Sequence, residues 1–433
     1  MRTKSSFKLP SIPSFKESLL QWGQQFGEVM WLDGNGHKDP YSSFDALLAV
    51  EAHTSLRVDD QNGFEELTKY QNEVGDWIFG YLSYDLKNEI EQLESHNYDG
   101  LDFPKLYFFR PKKIIRIIGD RVHFLYMKEL KDEIEPDFRA ISAFPVGRQT
   151  NTSSINIKMR IFKDAYYNKV DQLLAHIHRG DVYEANFCQE FYAEDVVIDP
   201  AATYGRLNSI SRPPFATFFR SGEMYLLSAS PERYLKKEGS KVISQPIKGT
   251  ARRAAGTSED THLKMALACD KKERAENIMI VDLVRNDLSK GAIRGSVGVA
   301  ELCQVYSYAQ VHQMISTVTA RVLPSKNPVE IIVETFPMGS MTGAPKVSAM
   351  KIIETLEATK RGLYSGAMGY FDPNGNFDFS VVIRSILYNA DKKYVSYSVG
   401  SAITARSVPE REYEECLLKA RAMREVLEGG KGG

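Results

Sequence analysis

The sequence predicts a mixed α and β fold, of the α/β or α+β class, because helical and strand-like periodicities alternate along the chain. Apolar side chains recur at three- and four-residue steps through residues 163–179, which is typical of an amphipathic helix, and Gly180 then provides a stop. Residues 181–189 alternate in polarity like a strand. Residues 234–244 read as two short strands joined by a Gly-Ser pair, which is a two-residue hairpin signal.

The first part of the chain, residues 1–147, mixes strands and helices in the same way. Residues 28–33 predict a strand that ends at a glycine-rich turn. Residues 77–86 form an aromatic run with β character, which we assign to the core because buried aromatic rings supply much of a protein interior. The polar residues 147–154 are the only credible linker, and they separate this region from a second one, residues 155–428.

Composition indicates a protein of the cytoplasm that binds neither nucleic acid nor anionic membranes. The 55 Lys and Arg residues balance 56 Asp and Glu residues, so there is no electrostatic case for a polyanionic partner. The four cysteines are scattered without Cys-x-x-Cys spacing, which suits a reducing compartment. No apolar run approaches the ~20 residues that a membrane span needs, and no apolar core follows the basic N-terminus as in a signal peptide.

Lys248 lies in the segment with the clearest chemical potential, residues 246–250, which read Pro-Ile-Lys-Gly-Thr. Counting outward from the hairpin turn places Glu232 opposite Ile247, so a carboxylate and an amine are expected to meet at the open end of the hairpin. A lysine becomes a nucleophile when burial or nearby cations, here the two arginines that follow, lower its pKa from about 10.4. The alternative is an ordinary lysine in a surface loop.

Two pairs of glutamates have the spacing of a helical face. Glu273 and Glu276 are three residues apart, and so are Glu412 and Glu415, with Lys419 four residues further on. Taken singly, such a pair is typical of a solvated helix face. Two helices that each offer a carboxylate pair supply the hard oxygen ligands that Mg²⁺ prefers, with positions left for a substrate carboxylate and water.

Several motifs resemble the chorismate-utilising family that includes anthranilate synthase component I. They are the Pro-Ile-Lys-Gly-Thr segment, the strand that follows Gly180, and residues 336–346, which read Phe-Pro-Met-Gly-Ser-Met-Thr-Gly-Ala-Pro-Lys. The similarity covers most of the chain and is densest from Ile177 to Ala420. It implies an anthranilate synthase component I-like fold of large, mainly antiparallel β-sheets flanked by helices, with the N-terminal region completing the same body. It also implies that Mg²⁺ bridges the enzyme to the ring carboxylate of chorismate.

Lys248 and Glu184 distinguish the branches of this family. Anthranilate synthases are expected to carry Ala at the position of Lys248, so the resemblance implies the aminodeoxychorismate synthase branch, transferases that form 4-amino-4-deoxychorismate for p-aminobenzoate and folate. Isochorismate and salicylate synthases are expected to carry Lys at the position of Glu184, so water addition is disfavoured. Gln is the usual residue of the aminating branches, which leaves the role of Glu184 open. Anthranilate synthase component I and a silent chorismate-binding subunit are the alternatives.

The resemblance also assigns roles to individual residues. Lys248 is expected to attack ring carbon C2 of chorismate, Glu232 to act as general acid and base, and His312 to lie near the departing C4 hydroxyl. Four glutamates are assigned to Mg²⁺, two as ligands (Glu276 and Glu415) and two through water (Glu273 and Glu412). The expected substrate-binding residues are Ser340, Tyr370, Arg384, Gly400, Ser401 and Lys419.

Arg384 shows why these residue types suit the substrate. It lies in an apolar stretch, residues 381–385, where a charge is costly unless it is paired. A planar guanidinium that binds a carboxylate through two hydrogen bonds suits dianionic chorismate. An internal ion pair is the alternative interpretation of the same residue.

A second protein is expected to supply ammonia. None of the four cysteines lies in a Gly-x-Cys-x-Gly nucleophile turn, so the sequence shows no glutamine amidotransferase motif. The expected partners are therefore chorismate and a separate glutamine amidotransferase subunit, for which free ammonium should substitute in vitro.

Overall fold

Antiparallel strands form the framework of the structure, a computed structural model that describes residues 2–37, 39–145, 155–308 and 311–429. The strands in these ranges are β1 (Arg2–Lys8), β2 (Glu28–Asp33), β3 (Ala46–Val58), β4 (Ile78–Leu82), β5 (Leu106–Ile118), β6 (Arg121–Met127), β7 (Lys158–Met159), β8 (Glu184–Ala193), β9 (Phe215–Ser221), β10 (Met224–Ser230), β11 (Arg233–Glu238), β12 (Lys241–Gln245), β13 (Ile247–Arg252), β14 (Gly298–Ser307), β15 (Val311–Arg321), β16 (Gly343–Ala344), β17 (Ala367–Phe371), β18 (Phe377–Val381), β19 (Ser385–Asn389) and β20 (Tyr394–Thr404). The α-helices are α1 (Ile12–Gly23), α2 (Gly63–Val74), α3 (Lys87–Glu91), α4 (Ile134–Ala143), α5 (Lys163–Arg179), α6 (Pro200–Ser211), α7 (Thr257–Cys269), α8 (Lys271–Ser289), α9 (Pro328–Thr335), α10 (Lys346–Leu356) and α11 (Pro409–Glu428). Short 3₁₀ turns lie at Tyr84–Leu86, Lys128–Glu133 and Gly339–Met341.

The strands form two sheet wings that share β5. Along one edge β5 pairs with β3, and along the other it pairs with β4 in its first half and with β6 in its second. The first wing continues from β3 through β2, β9, β10, β19 and β20 to β8. The second continues from β4 through β17, β18, β11 and β12 to β15, which also pairs with β13 and β14. Residues distant in sequence therefore meet at the ends of both wings.

The first wing is buried on both faces. In β2, Val29 and Trp31 point into one hydrophobic core and Met30 points into the other, as the two-residue period of a strand requires. One core lies beneath α1, α4, α5, α6, α10 and α11. The other lies between the two wings, together with α2, α8 and α9. Most of the apolar pattern in the sequence is thus explained by two cores rather than one.

The mixed α and β fold predicted from periodicity is confirmed. The helix predicted over residues 163–179 is α5, and Gly180 ends it with a φ of 88°, the left-handed conformation that favours glycine. The strand predicted at residues 28–33 is β2, and the aromatic run supplies the fully buried β4. The strand predicted at residues 181–189 begins later, at Glu184, and is almost wholly buried rather than alternating, because cores cover both of its faces.

Strands from the two predicted regions pair within one sheet. Strand β2 pairs with β9, and β4 pairs with β17, so the N-terminal region completes the same body as the second region. The linker predicted at residues 147–154 lies outside the described residues. Among the helices that the structure describes, none is long and apolar enough to cross a membrane.

Gly80 allows β4 to lie close against β5, and we expect its replacement by alanine to destabilise the fold. A Cβ atom at Gly80 would lie 1.9 Å from the backbone oxygen of Tyr107, which cannot rotate away as a side chain can. Gly80→Ala should lower the free energy of unfolding by about 1–3 kcal/mol, measured by urea denaturation. The matched control is Gly27→Ala, where a Cβ meets nothing within 4 Å. Equal urea midpoints for the two variants would contradict this account.

Candidate active site

Lys248 lies in β13 and forms a buried ion pair with Glu184, the first residue of β8. Lys248 Nζ donates a hydrogen bond to Glu184 Oε1 over 2.8 Å, and the two side chains are 11% and 1% exposed. Burial alone would lower the pKa of Lys248, but the negative charges of Glu184, Glu276 and Glu232 outweigh burial, so this pKa is raised. In this structure Lys248 is therefore an ammonium ion enclosed by carboxylates.

The condition named for a nucleophilic lysine, a lowered pKa, is therefore not met by this arrangement of charges. The two arginines that were expected to act on Lys248 are engaged elsewhere. Arg252 pairs with Glu259 over 2.7 Å, and Arg253 pairs with Asp260 over 2.8 Å. The carboxylate that dominates instead, Glu184, is 64 residues away in sequence, so no local motif reveals the contact.

Glu232 is buried immediately before β11, and burial raises the pKa of its carboxyl group to about 7. The Ser340 hydroxyl, the Lys248 ammonium and the backbone N–H of Ile247 each offset part of this effect. A carboxyl group that titrates near neutrality can both donate and accept a proton in a reaction, so its environment suits the predicted general acid and base.

The hairpin register differs from the prediction because β11 contains a bulge. Arg233 pairs with Gln245, whereas the count from the turn predicts Tyr234 at that position, and the shift lies between Arg233 and Lys236. The predicted cross-strand pairing of Glu232 with Ile247 is therefore wrong. No salt bridge joins Glu232 to the Lys248 amine among the described residues, although the charge of Lys248 acts on the Glu232 carboxyl group in the direction that lowers its pKa.

Ser340, which is predicted to bind substrate, lies in the buried 3₁₀ turn next to the Glu232 carboxyl group. Both side chains line one cavity, whose walls also include Val284 of α8 and Met338 of the same loop. The loop continues into β16, which pairs with β8 at Glu184. One segment of chain thus contacts Glu232 and Glu184, two of the three glutamates whose carboxylates act on Lys248.

Helices α8 and α11 bring the four predicted glutamates together. Glu273 and Glu276 lie on α8, and Glu412 and Glu415 lie on α11. Burial raises the pKa of Glu276 to about 7 and also raises those of Glu273 and Glu412. The charges of all four act on Lys272, whose Nζ lies 3.6 Å from Glu276 Oε1. Lys272 was not predicted, although its four-residue spacing to Glu276 is visible in the sequence.

The chemistry of these donors fits an open magnesium site. The Oε1 atom of Glu276 is buried without a hydrogen-bond partner among the described residues, so it is available to a cation. Within the same residues, no three His, Cys, Asp or Glu side chains are already arranged as a metal centre. Mg²⁺ is usually held by one or two carboxylates, with water and substrate oxygens completing its shell, so two glutamates from different helices suffice.

Arg384 is a half-buried cation that has no acidic partner among the described residues. It lies between β18 and β19 with a φ of 54°, and its Nη1 donates to the backbone oxygen of Lys419 over 3.1 Å. Burial lowers its pKa, although Tyr364 and Glu415 oppose that effect. No salt bridge of Arg384 occurs among the described residues, so the alternative of an internal ion pair is not found. Its remaining N–H groups suit a ligand carboxylate.

Lys419, Gly400 and Ser401 are brought together where α11 crosses β20. Lys419 Nζ binds Glu415 Oε1 over 2.5 Å and the Gly400 oxygen over 2.9 Å. A Cβ atom at Gly400 would lie 2.5 Å from Cys188 Sγ, so the close strand packing requires glycine. The Ser401 side chain faces α11, where Oγ donates to the Glu412 oxygen over 3.4 Å. The Ser401 side chain is thus engaged by α11, and only the Ser401 backbone remains for the predicted contact with substrate.

A model of the chorismate binding enzyme family matches residues 21–425. The chain belongs to this family. It is 38% identical over 369 residues to an aminodeoxychorismate synthase from Streptomyces griseus, which covers 81% of this chain and 50% of that protein. It is 33% identical over 365 residues to anthranilate synthase component 1 from Thermus thermophilus, covering 82% of this chain and 78% of that protein. It is 38% identical over 266 residues to aminodeoxychorismate synthase component 1 from Escherichia coli, which covers 61% of this chain and 58% of that protein. The chain therefore spans about half the length of the Streptomyces relative and somewhat more than half of the Escherichia coli relative.

Solved structures confirm the predicted anthranilate synthase component I-like fold, with its large antiparallel sheets. Anthranilate synthase component I from Streptococcus pneumoniae has a TM-score of 0.78 at 24% identity, covering 90% of this chain and 94% of that one. MenF, the menaquinone-specific isochorismate synthase of Escherichia coli, has a TM-score of 0.76 at 17% identity, covering 99% and 94%. At these identities the likeness concerns the fold alone.

In this chorismate-binding enzyme, Tyr370 lies outside the cluster around Lys248. Its ring packs 5.3 Å from that of Trp77 and lines a separate pocket with Phe44 and Arg233. Its contact with the substrate therefore stays a prediction. Tyr364, six residues earlier, is the tyrosine that affects the pKa of Arg384, and it was not among the predicted site residues.

His312 is held by hydrogen bonds away from Lys248. Its Nδ1 lies 2.9 Å from Ser307 Oγ, and its Nε2 lies 3.1 Å from Asp260 Oδ1. On β13 the residue opposite His312 is Ala251, three positions beyond Lys248, and a register shift intervenes. The structure therefore does not bring His312 to the catalytic cluster, and its proposed proximity to the C4 hydroxyl stays a prediction.

The raised pKa of Glu232 predicts a pH-dependent effect of Glu232→Gln. The carboxyl group keeps its proton up to about pH 7 when folded, against an ordinary value of 4.5 when unfolded. The folded state consequently loses stability as pH rises through this window, by about 3 kcal/mol in full, and Glu232→Gln removes that loss. Urea denaturation without Mg²⁺ should show the advantage of the variant increasing from pH 5 to pH 8. A pH-independent difference would contradict the raised pKa, and Glu414→Gln, at an exposed position, serves as control.

Proposed function

We propose that this chain is an aminodeoxychorismate synthase component I, which converts chorismate and ammonia to 4-amino-4-deoxychorismate for p-aminobenzoate and folate synthesis. The observation that carries the proposal is Lys248, a buried lysine enclosed by Glu184, Glu232 and Glu276 in a chain of the chorismate binding enzyme family. A buried amine with carboxylates on several sides has the parts of an activated nucleophile and its proton partners. Relatives of the same name, among them the Streptomyces griseus and Escherichia coli proteins, support this choice.

The proposed reaction proceeds through a covalent bond to Lys248. Lys248 Nζ, after losing a proton, bonds to ring carbon C2, the two ring double bonds shift, and the C4–oxygen bond breaks. Glu232 gives its proton to the departing hydroxyl, which leaves as water. Ammonia then bonds to C4, the double bonds shift back, and the C2–Nζ bond breaks to release product and lysine.

The dianionic substrate requires cationic partners in the pocket. Arg384 offers N–H groups without an acidic partner among the described residues, and Lys419 adds a second positive charge near the Gly400 backbone. Glu276 and Glu415 would hold Mg²⁺, with Glu273 and Glu412 acting through water. Bound there, Mg²⁺ would neutralise and orient a substrate carboxylate.

The proposal includes a separate glutaminase subunit as the source of ammonia. The relatives from Escherichia coli and Salmonella typhimurium are named as component 1 of aminodeoxychorismate synthase, which suggests a further component. The second candidate function is anthranilate synthase component I, favoured by the name of the Thermus thermophilus relative. Its 2-amination requires no lysine nucleophile, so substitution of Lys248 discriminates between the two.

Mass spectrometry of the products formed from chorismate, Mg²⁺ and ammonium chloride tests the function directly. We expect 4-amino-4-deoxychorismate from the wild-type protein and at least about a 100-fold loss of it in Lys248→Ala, because the nucleophile is removed. The matched control is Lys237→Ala, which removes another buried lysine, on β11. Anthranilate that persists in Lys248→Ala would establish the second candidate instead, and no product from the wild type would favour a silent chorismate-binding subunit.

Magnesium dependence is tested by metal removal and by substitution of the two proposed ligands. Chelation with EDTA should abolish turnover, and Mg²⁺ should restore it. Glu276→Gln and Glu415→Gln should each raise the Mg²⁺ concentration needed for half-maximal turnover by about 10- to 100-fold, because each removes an anionic oxygen ligand. Glu414 is an exposed residue on the same helix as Glu415, and Glu414→Gln should leave the Mg²⁺ concentration for half-maximal turnover unchanged. Full turnover in EDTA would exclude the metal.

A further inference from the structure

Glu184 is held in place on both edges of its strand, and its side chain is buried. Its backbone pairs with Ala344 of β16 on one side and with Thr404 of β20 on the other. Its side chain is 1% exposed, and Oε1 accepts the hydrogen bond from Lys248 over 2.8 Å. The other oxygen, Oε2, is buried and has no hydrogen-bond partner among the described residues. A carboxylate with an unused buried oxygen retains the capacity to bind a proton.

An enclosed ammonium cannot attack carbon until its proton moves to an acceptor. Among the described residues, Glu184 is the acceptor to which Lys248 Nζ is hydrogen-bonded. The other two carboxylates that act on Lys248 have different tasks in the proposed reaction. Glu232 must carry a proton for the departing hydroxyl, and Glu276 must stay ionised to hold the metal. Glu184 is thus the carboxylate left to receive the lysine proton.

We propose that Glu184 is the positioning residue that takes the proton of Lys248 before attack and returns it after release, an inference that rests on the proposed function. Glutamine, expected at this place in the aminating branches, can orient the lysine but cannot accept its proton. The Glu184 carboxylate therefore gives this chain a proton acceptor next to its nucleophile.

The proton balance closes over one turnover. Lys248 ammonium gives one proton to Glu184 and attacks as the neutral amine, forming a secondary ammonium bonded to C2, while Glu232 protonates the leaving hydroxyl to water. When ammonia bonds to C4, the C2–Nζ bond breaks and its electron pair returns to nitrogen, so Lys248 leaves as a neutral amine. Glu184 then returns its proton to Lys248, and the new C4 ammonium gives one to Glu232. The sum is chorismate plus ammonia giving 4-amino-4-deoxychorismate plus water.

The first step is isolated by mixing enzyme, Mg²⁺ and chorismate without ammonium, quenching at set times and measuring the Lys248 adduct by peptide mass spectrometry. Glu184→Gln should slow adduct formation by about 10- to 100-fold, because the amide cannot take the proton. KM for chorismate should change less than about threefold, since substrate contacts are kept. The control is Glu190→Gln, a buried carboxylate on the same strand paired with Arg160 over 3.0 Å, which should form the adduct at the wild-type rate.

Glu184→Asp separates proton acceptance from packing. Aspartate keeps the acid but shortens the side chain, whereas glutamine keeps the shape but loses the acid. Proton acceptance predicts faster adduct formation in Glu184→Asp than in Glu184→Gln, and a purely structural role predicts the reverse order. The reverse order, or a wild-type rate in Glu184→Gln, would overturn the proposal. The products of the wild-type protein are measured first. Absence of the 4-aminated product would refute the proposed function, whereas the order of the adduct-formation rates in the two variants tests only the role of Glu184.

Discussion

Burial of charge is the constraint on which the centre of this molecule depends. An isolated ammonium or carboxylate in an apolar interior costs several kcal/mol, so buried charges persist only when they are paired. The pair of Lys248 and Glu184 meets this condition, with Glu232 and Glu276 close enough to add to the field. Each partner comes from a different element, so the charges are balanced only when β8, β13 and α8 are all in place.

The two-winged sheet provides the stiffness that such an arrangement needs. Strand β8 is held on both edges at Glu184, by β16 and by β20, and β20 in turn packs against α11. The helix that carries Glu276 lies against β13 and β15, so it is tied to the segment that carries Lys248. Functional groups on strands and helices are positioned more closely than groups on loops. The N-terminal region completes the sheet through the pairing of β2 with β9 and of β4 with β17.

Local features of the chain were predictable from sequence because their causes are local. Helix α5 follows from apolar spacing and Gly180, and the glutamate pairs follow from the helical repeat. The ionisation of Lys248 was not predictable, because it depends on Glu184, 64 residues away. The register around Glu232 also failed, because a bulge is not visible in residue counts. Tyr364 was not predicted either, because its effect on the pKa of Arg384 arises from the folded structure and not from a local pattern.

Charge balance also explains how the site would accommodate its proposed ligands. Chorismate brings two negative charges and Mg²⁺ brings two positive ones, so their joint arrival leaves the net charge of the site unchanged. Proton transfer from Lys248 to Glu184 likewise removes one positive and one negative charge together. Each proposed step thus moves charge in compensating pairs, which is the condition under which a buried site can react without admitting water.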